Sequence, residues 1–260
     1  MNRQAAGFWM PRIMFLTGIG ILYIPILTLV IYSFVDFETG AAPSLAAYSH
    51  LVRNGDLVRA LVTSMLIGAT SATLSTVLGG AAAFAFERGR PWAKGLFDSL
   101  SLVPMVLPEI VFGLGLLTWF VFLRVSLGTV SLILAHVTFS VSYVALTVRG
   151  RVRALEQSID DAARDLGATP WQLFSKVQLP LIAPALVAGW MMAFTLSFDD
   201  FLISFFTSGP DTVTLPMALY SVIRFGVSPE VFAMATVIFG VSFISAVVVT
   251  RLTGGRGIAH

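Results

Sequence analysis

Cysteine is absent from the 260 residues, which excludes a disulfide framework and a thiolate metal site. Charge is nearly as scarce. Asp, Glu, Lys and Arg make up 12% of the chain, where a soluble domain carries roughly a quarter. No Gly-x-x-x-x-Gly-Lys-Ser/Thr run occurs, so the chain lacks the usual loop that cradles ATP phosphates. No Ser-His-Asp, His-Glu-x-x-His or Cys-His arrangement points to an enzyme, and no repeat or low-complexity tract appears. The formal net charge of +2 says little by itself, and no nucleic-acid partner is expected.

What fills the chain is apolar: 57% of it is hydrophobic, with a mean hydropathy of +0.87. A bilayer core of ~30 Å needs about 20 apolar residues of helix. Six stretches qualify: Ile13–Val35, Ala60–Phe86, Ser99–Leu123, Val125–Val148, Ala185–Phe206 and Val231–Thr250. The fold class expected is therefore an all-α membrane protein with six transmembrane helices and one domain over residues 1–260. The first apolar run is longer than the h-region of a cleavable signal, about 7–15 residues.

Six spans put both termini on one side. Twelve Lys and Arg fall there (Arg3, Arg12, Arg88, Arg90, Lys94, Arg149, Arg151, Arg153, Arg164, Lys176, Arg251, Arg256), against four opposite (Arg53, Arg59, Arg124, Arg224). The positive-inside rule makes the richer side cytoplasmic.

Three acids lie inside apolar stretches: Glu109, Asp199 and Asp200. A carboxylate at the bilayer centre costs about 2.5–3.5 kcal/mol on insertion scales, so such groups face a bundle interior or a wet pathway. Glu109 follows Pro104 and Pro108, which predict a kinked or broken helix and a freed N-terminus to stabilise it. Asp199 and Asp200 are consecutive, about 100° apart if helical, so one is expected to face a pathway and the other to bond a nearby Ser or Thr. His136 reads as an interhelical hydrogen bond. The residues alone also admit an ion-coupled carrier, with these acids as proton or cation sites.

The longest cytoplasmic loop, residues 149–184, has its own pattern. Ile159, Ala162, Ala163 and Leu166 form a helical stripe. Ser158 and Asp161 fit an N-terminal capping box, and Gly167 a left-handed helix end. Thr169, Pro170 and Gln172 predict N-cap, first residue and capping-box partner of a second short helix. Leu179-Pro180 predicts a backbone break before the next span. Asp161 has two readings, a cap or a docking residue for a partner's cation.

Asp161-Ala162-Ala163, three residues, Gly167, nine residues, Val177, one residue and Leu179-Pro180 resemble the EAA loop of ABC importer permeases, with Asp for Glu and Val for Ile. Residues 134–144, 189–210 and 214–236 resemble the spermidine/putrescine branch of that family, and its second membrane subunit. The resemblance implies a type I importer permease fold in the bacterial inner membrane. It implies two ATPase subunits that bind ATP and Mg, a second, related permease, and a periplasmic substrate-binding protein. It also implies that the loop docks on an ATPase and that the cargo is a polyamine. The acids, read without the family, suit such a cation: Glu109 and at least one of Asp199 and Asp200 are expected to line its route, with Ser197 completing a family-like Ser-x-Asp-Asp run. No cofactor is expected in this chain. Relatives often carry Trp-Tyr where this chain has Ala47-Tyr48. Opines, aminophosphonates, thiamine or ferric iron are alternative cargoes.

The missing phosphate loop generates a first prediction. The purified single chain is expected to release no phosphate from ATP above the rate of an empty-membrane control in a colorimetric assay.

Overall fold

A computed structural model of the chain describes residues 3–37, 39–87, 91–225 and 228–254. Arg88, Arg90 and Arg256 of the cation pattern lie outside the described residues. Among the described residues every regular element is helical: α1 (Arg3–Tyr32), α2 (Ala46–Arg53), α3 (Gly55–Glu87), α4 (Pro91–Val106), α5 (Glu109–Phe122), α6 (Thr129–Arg153) and α7 (Gln157–Asp165). There follow α8 (Pro170–Gln172), a π-helical segment Leu173–Gln178, α9 (Leu179–Asp199), α10 (Leu202–Thr207), α11 (Leu215–Phe225) and α12 (Pro229–Gly254).

Four stretches are long and apolar enough to cross a bilayer: Met14–Tyr32, Gly55–Glu87, Thr129–Arg153 and Pro170–Asp199. Lys94–Val106 and Glu109–Phe122 pass that test together but are bent by 107°. The expected span Ser99–Leu123 is thus two helices, with the break that the prolines predicted. Pro108 has no N–H to continue the ladder, and its φ of −56° and ψ of 133° make it the N-cap of α5 rather than a helical residue. The expected span Ala185–Phe206 is also corrected. It starts earlier, at Leu179, and stops at Asp199, because Asp200 is extended (φ −70°, ψ 127°). Asp199 and Asp200 therefore do not sit 100° apart on one helix.

The chain divides into two compact units. One comprises residues up to Val58 and from Leu219 onward. In it α12 packs against α1 and α2, and Tyr32, Phe37 and Phe232 stack mutually with centroids 5.5–5.9 Å apart. Tyr48 shares a 2.9 Å hydrogen bond with Ser33, beside a buried Ala47.

The other unit runs from Arg59 to Ala218. Its core packs Ala72 and Ala83 of α3, Val144, Val148 and Val152 of α6, and Ile182 and Ala193 of α9. Small residues let these helices approach closely, as membrane interfaces require in the absence of a hydrophobic drive between helices. Gly79 is a point of close approach between the α3 and α6 backbones. A Cβ there would lie 2.7 Å from the Val141 carbonyl oxygen and 3.0 Å from the Ala145 nitrogen.

Those neighbours are backbone and cannot swing aside. Gly79→Val is therefore expected to push α3 off α6 and cost about 1–3 kcal/mol or more, the usual range for overpacking. A lowered unfolding temperature of the purified chain in detergent checks it.

Candidate substrate pathway and coupling surface

The two broken helices meet. Gly113 of α5 faces α10 so closely that a Cβ there would lie 2.9 Å from Phe206 and 3.5 Å from the Ile203 Cα. Glu109, the first residue of α5, is exposed, as is Asp199, the last of α9. Both line a cavity of about 270 Å³ with Thr195, Leu196, Asp200, Phe201 and Leu202. Acids from two different helices thus converge on one concavity, with Glu109 in the first turn of α5, where the helix dipole favours negative charge.

Asp200 is different. It is 5% exposed, and its carboxylate accepts from the Ile203 N–H (3.2 Å) and the Ser204 N–H (2.7 Å). These are free donors of the first turn of α10, which water cannot serve in an apolar interior. Ser197 turns away from the cavity. It is buried, and its hydroxyl bonds His136 Nδ1. His136 Nε2 lies 3.1 Å from the Ser204 hydroxyl and 3.6 Å from Asp200 Oδ2. One ring from α6 therefore ties the end of α9 to the start of α10, which is the interhelical role expected of it. Farther along, Ser131 donates to the Thr207 carbonyl at 2.7 Å and pins the other end of α10.

At the opposite end of this unit lies the loop. Gly167 has φ +82°. Its N–H reaches the Arg164 carbonyl, and the Ala168 N–H reaches that of Ala163, at 2.8 and 3.0 Å. That is a complete Schellman cap. The Thr169 capping box is also formed, by bonds of 2.9 and 3.3 Å between Thr169 and Gln172. The box expected at Ser158 and Asp161 is not. Glu156 takes the extended N-cap conformation, so α7 starts before Ser158, whose hydroxyl bonds Glu156 instead. Asp161 is exposed, 3.6 Å from Arg164 on the next turn. The break expected at Leu179-Pro180 is absent too. The chain runs on through the π-helical segment, where the Leu179 N–H reaches back to the Phe174 carbonyl. Wider π turns relieve the clash between a proline ring and the carbonyl four residues before it.

Asp161, Ala162, Gly167, Leu179 and Pro180 are exposed, while Ala163 and Val177 are half-buried. Beside them Leu166 is 89% exposed and Trp171 72%, an apolar surface this chain does not cover.

Two arrangements had no reading in the sequence. Glu87, half-buried at the end of α3, meets Lys94, Arg149 Nε at 2.7 Å and Arg153 Nε at 2.9 Å. Arg149 also pairs with Asp98 and lies over the Phe97 ring. The i, i+4 spacing of Arg149 and Arg153 was the available signal. Asp160 and Gln178, each 4% exposed, bond through Gln178 Nε2 at 3.0 Å to both carboxylate oxygens, and no local pattern announces that pair.

Residues 75–254 match the family model described as the binding-protein-dependent transport system inner membrane component. The chain belongs to this family. It is 42% identical over 238 residues to the putrescine transport system permease protein PotI of Escherichia coli K12, covering 88% of this chain and 85% of that one. To the spermidine/putrescine transport system permease protein PotC of the same organism it is 37% identical over 237 residues, 90% of each chain. Among solved structures, a bacterial ABC transporter involved in alginate import matches with a TM-score of 0.74 over 99% of both chains, at 14% identity. That likeness establishes the fold, that of an ABC importer permease.

The His136 bridge generates the third prediction. His136→Leu leaves the Ser197 and Ser204 hydroxyls without their ring partner in a buried site, and unsatisfied buried groups cost about 1–3 kcal/mol. Thermal unfolding of the purified variant is expected to fall by that equivalent, with His136→Gln intermediate.

Proposed function

We propose that this permease is a translocating subunit of an ATP-driven importer for polyamine cations such as putrescine or spermidine. The observation that carries the reading is the cavity at which two interrupted helices bring Glu109 and Asp199 together over the buried carboxylate of Asp200. Within the described stretches Met14–Tyr32, Lys94–Val106, Glu109–Phe122 and Pro170–Asp199 the charged residues other than these acids lie near the ends, Lys94 and Lys176 among them. A cationic cargo supplies the missing positive charge. A polyamine carries its ammonium groups several ångströms apart on a flexible chain, so acids on separate elements replace its hydration in stages. The relatives named for putrescine and spermidine transport support the same substrate class.

In this reading the chain crosses the inner membrane six times with both termini in the cytoplasm, as the distribution of Lys and Arg supports. The residue 149–184 loop then faces the cytoplasm, and its exposed Asp161, Ala162, Leu166, Gly167 and Trp171 form the docking surface for an ATPase subunit. The small residues allow close approach, and Asp161 offers a charge to a partner's cation. Two ATPase subunits holding ATP and Mg supply the energy, a second permease completes the pore, and a periplasmic binding protein delivers the cargo. Ser197 and Asp200 serve as supports: they hold the helix break open, while Glu109 and Asp199 meet the substrate.

The test is uptake of labelled putrescine and spermidine by the assembled transporter, normalised to the amount of complex. Glu109→Gln and Asp199→Asn are each expected to reduce uptake at least tenfold, with assembly and capture by the binding protein near wild type. Uptake within about twofold of wild type for both variants overturns the acidic pathway. Uptake driven by a proton gradient without ATP overturns the importer class.

A further inference from the structure

The helix α7 is anchored to its own chain in an unusual way. Of its nine residues, the one that is buried is Asp160. Its apolar side chains do little inward packing: Ile159 is 38% exposed, and Leu166, which closes the helix, is 89% exposed. Covalently it hangs between two short turns, Ala154–Glu156 before it, where Leu155 packs against the core, and the Gly167 cap after it, each closed by local backbone bonds. Two such turns still leave the helix between them room to rock when pushed. What opposes rocking is the buried side-chain bond from Gln178, whose amide reaches both Asp160 oxygens at 3.0 Å.

Gln178 is the last residue of the π-helical segment, and Leu179 follows it as the first residue of α9. The helix α9 then runs 21 residues to Asp199, about 30 Å at 1.5 Å per residue. One end of this rod is therefore fastened to α7, and the other carries a carboxylate of the cavity.

Resting on the importer reading above, we infer that the Asp160–Gln178 bond is the positioning contact that makes α7 and the foot of α9 move as one body, so that displacement of α7 by an ATPase reaches the Asp199 end. Asp160 and Gln178 touch neither substrate nor nucleotide. Their effect is on how much transport each hydrolysis event produces. Without the bond, α7 rocks on its two turns and the push is dissipated before it reaches α9.

The experiment uses the complete transporter in proteoliposomes: this chain, its partner permease, the ATPase subunits and the binding protein, with labelled putrescine as cargo. The quantity read is putrescine imported per ATP hydrolysed. Asp160 has a further interaction besides Gln178, so Gln178→Leu is the cleaner variant. It is expected to lower the ratio at least fivefold, while hydrolysis stimulated by the loaded binding protein stays within twofold. The reversed pair Asp160→Asn/Gln178→Glu, in which the amide and carboxylate change places, is expected to recover the ratio to within twofold of wild type. A contact that only stabilises the fold lowers the amount of complex and leaves the ratio unchanged.

Because the chain has no native cysteine, rigidity is tested directly with Asp160→Cys/Gln178→Cys. Bridging the two thiols with a short bifunctional methanethiosulfonate is expected to restore coupling, and reductant to remove it again. An unchanged ratio in Gln178→Leu, or a bridged complex that hydrolyses ATP without importing putrescine, overturns the inference. If Gln178→Leu fails to assemble, the reversed and bridged pairs decide by the same ratios. A wild-type complex with no ATP-dependent uptake overturns the importer reading, and this inference with it.

Discussion

An apolar surrounding offers no water to a broken helix, and that constraint governs how this chain is built around its two helix breaks. Each backbone amide released at a break must find a partner inside the protein, or it costs several kcal/mol. The protein interrupts its apolar helices at Pro108 and Asp200 and meets the demand differently at each. Pro108 brings no donor of its own and leaves the first turn of α5 open beside Glu109. Asp200 turns its carboxylate inward to take two amides of α10, and is itself backed by His136, Ser197 and Ser204.

The division of labour between neighbouring acids follows from this. Asp199 and Asp200 are the same chemical group one residue apart, yet one is exposed to the cavity and the other is buried. A carboxylate whose oxygens are already accepting backbone bonds has less to offer a cation than one that faces open space. The buried member stabilises the geometry that presents the exposed one, and a neutral amide substitution acts on different properties at the two positions.

Polar contacts at the far end work on the same principle with a different object. Glu87 gathers Lys94, Arg149 and Arg153 where α3, α4 and α6 end or begin, so that the base of the loop is fixed by charge as well as by the packing of Val148 and Val152. The helix α7 hangs from that base with its apolar face outward, a poor arrangement for an isolated chain and a suitable one for a surface that another protein covers. Leu166 and Trp171, both strongly exposed, stand at and just beyond the C-terminal end of α7.

The sequence by itself determined much of what depends on short spacing. Apolar run length made the fold helical. Thr169-Pro170 with Gln172, and Gly167 after a helical stripe, specified two caps that formed as read, since both ends of each bond lie within five residues. The proximity of Glu109 to the prolines placed it at a helix start for the same reason. Two local readings gave way to other local bonds: Ser158 lost its capping role to Glu156, and Leu179-Pro180 was carried through by a π turn. Tertiary structure decided the rest. The run through Asp199 and Asp200, helical by composition, was broken because His136, 61 residues away from Ser197, stabilises the interruption. Asp160 and Gln178 are 18 positions apart, and each is an ordinary polar residue until folding brings them together. Local spacing encodes bonds that close within a turn or two; a bond between distant elements exists only once packing has excluded the water that would otherwise satisfy both ends.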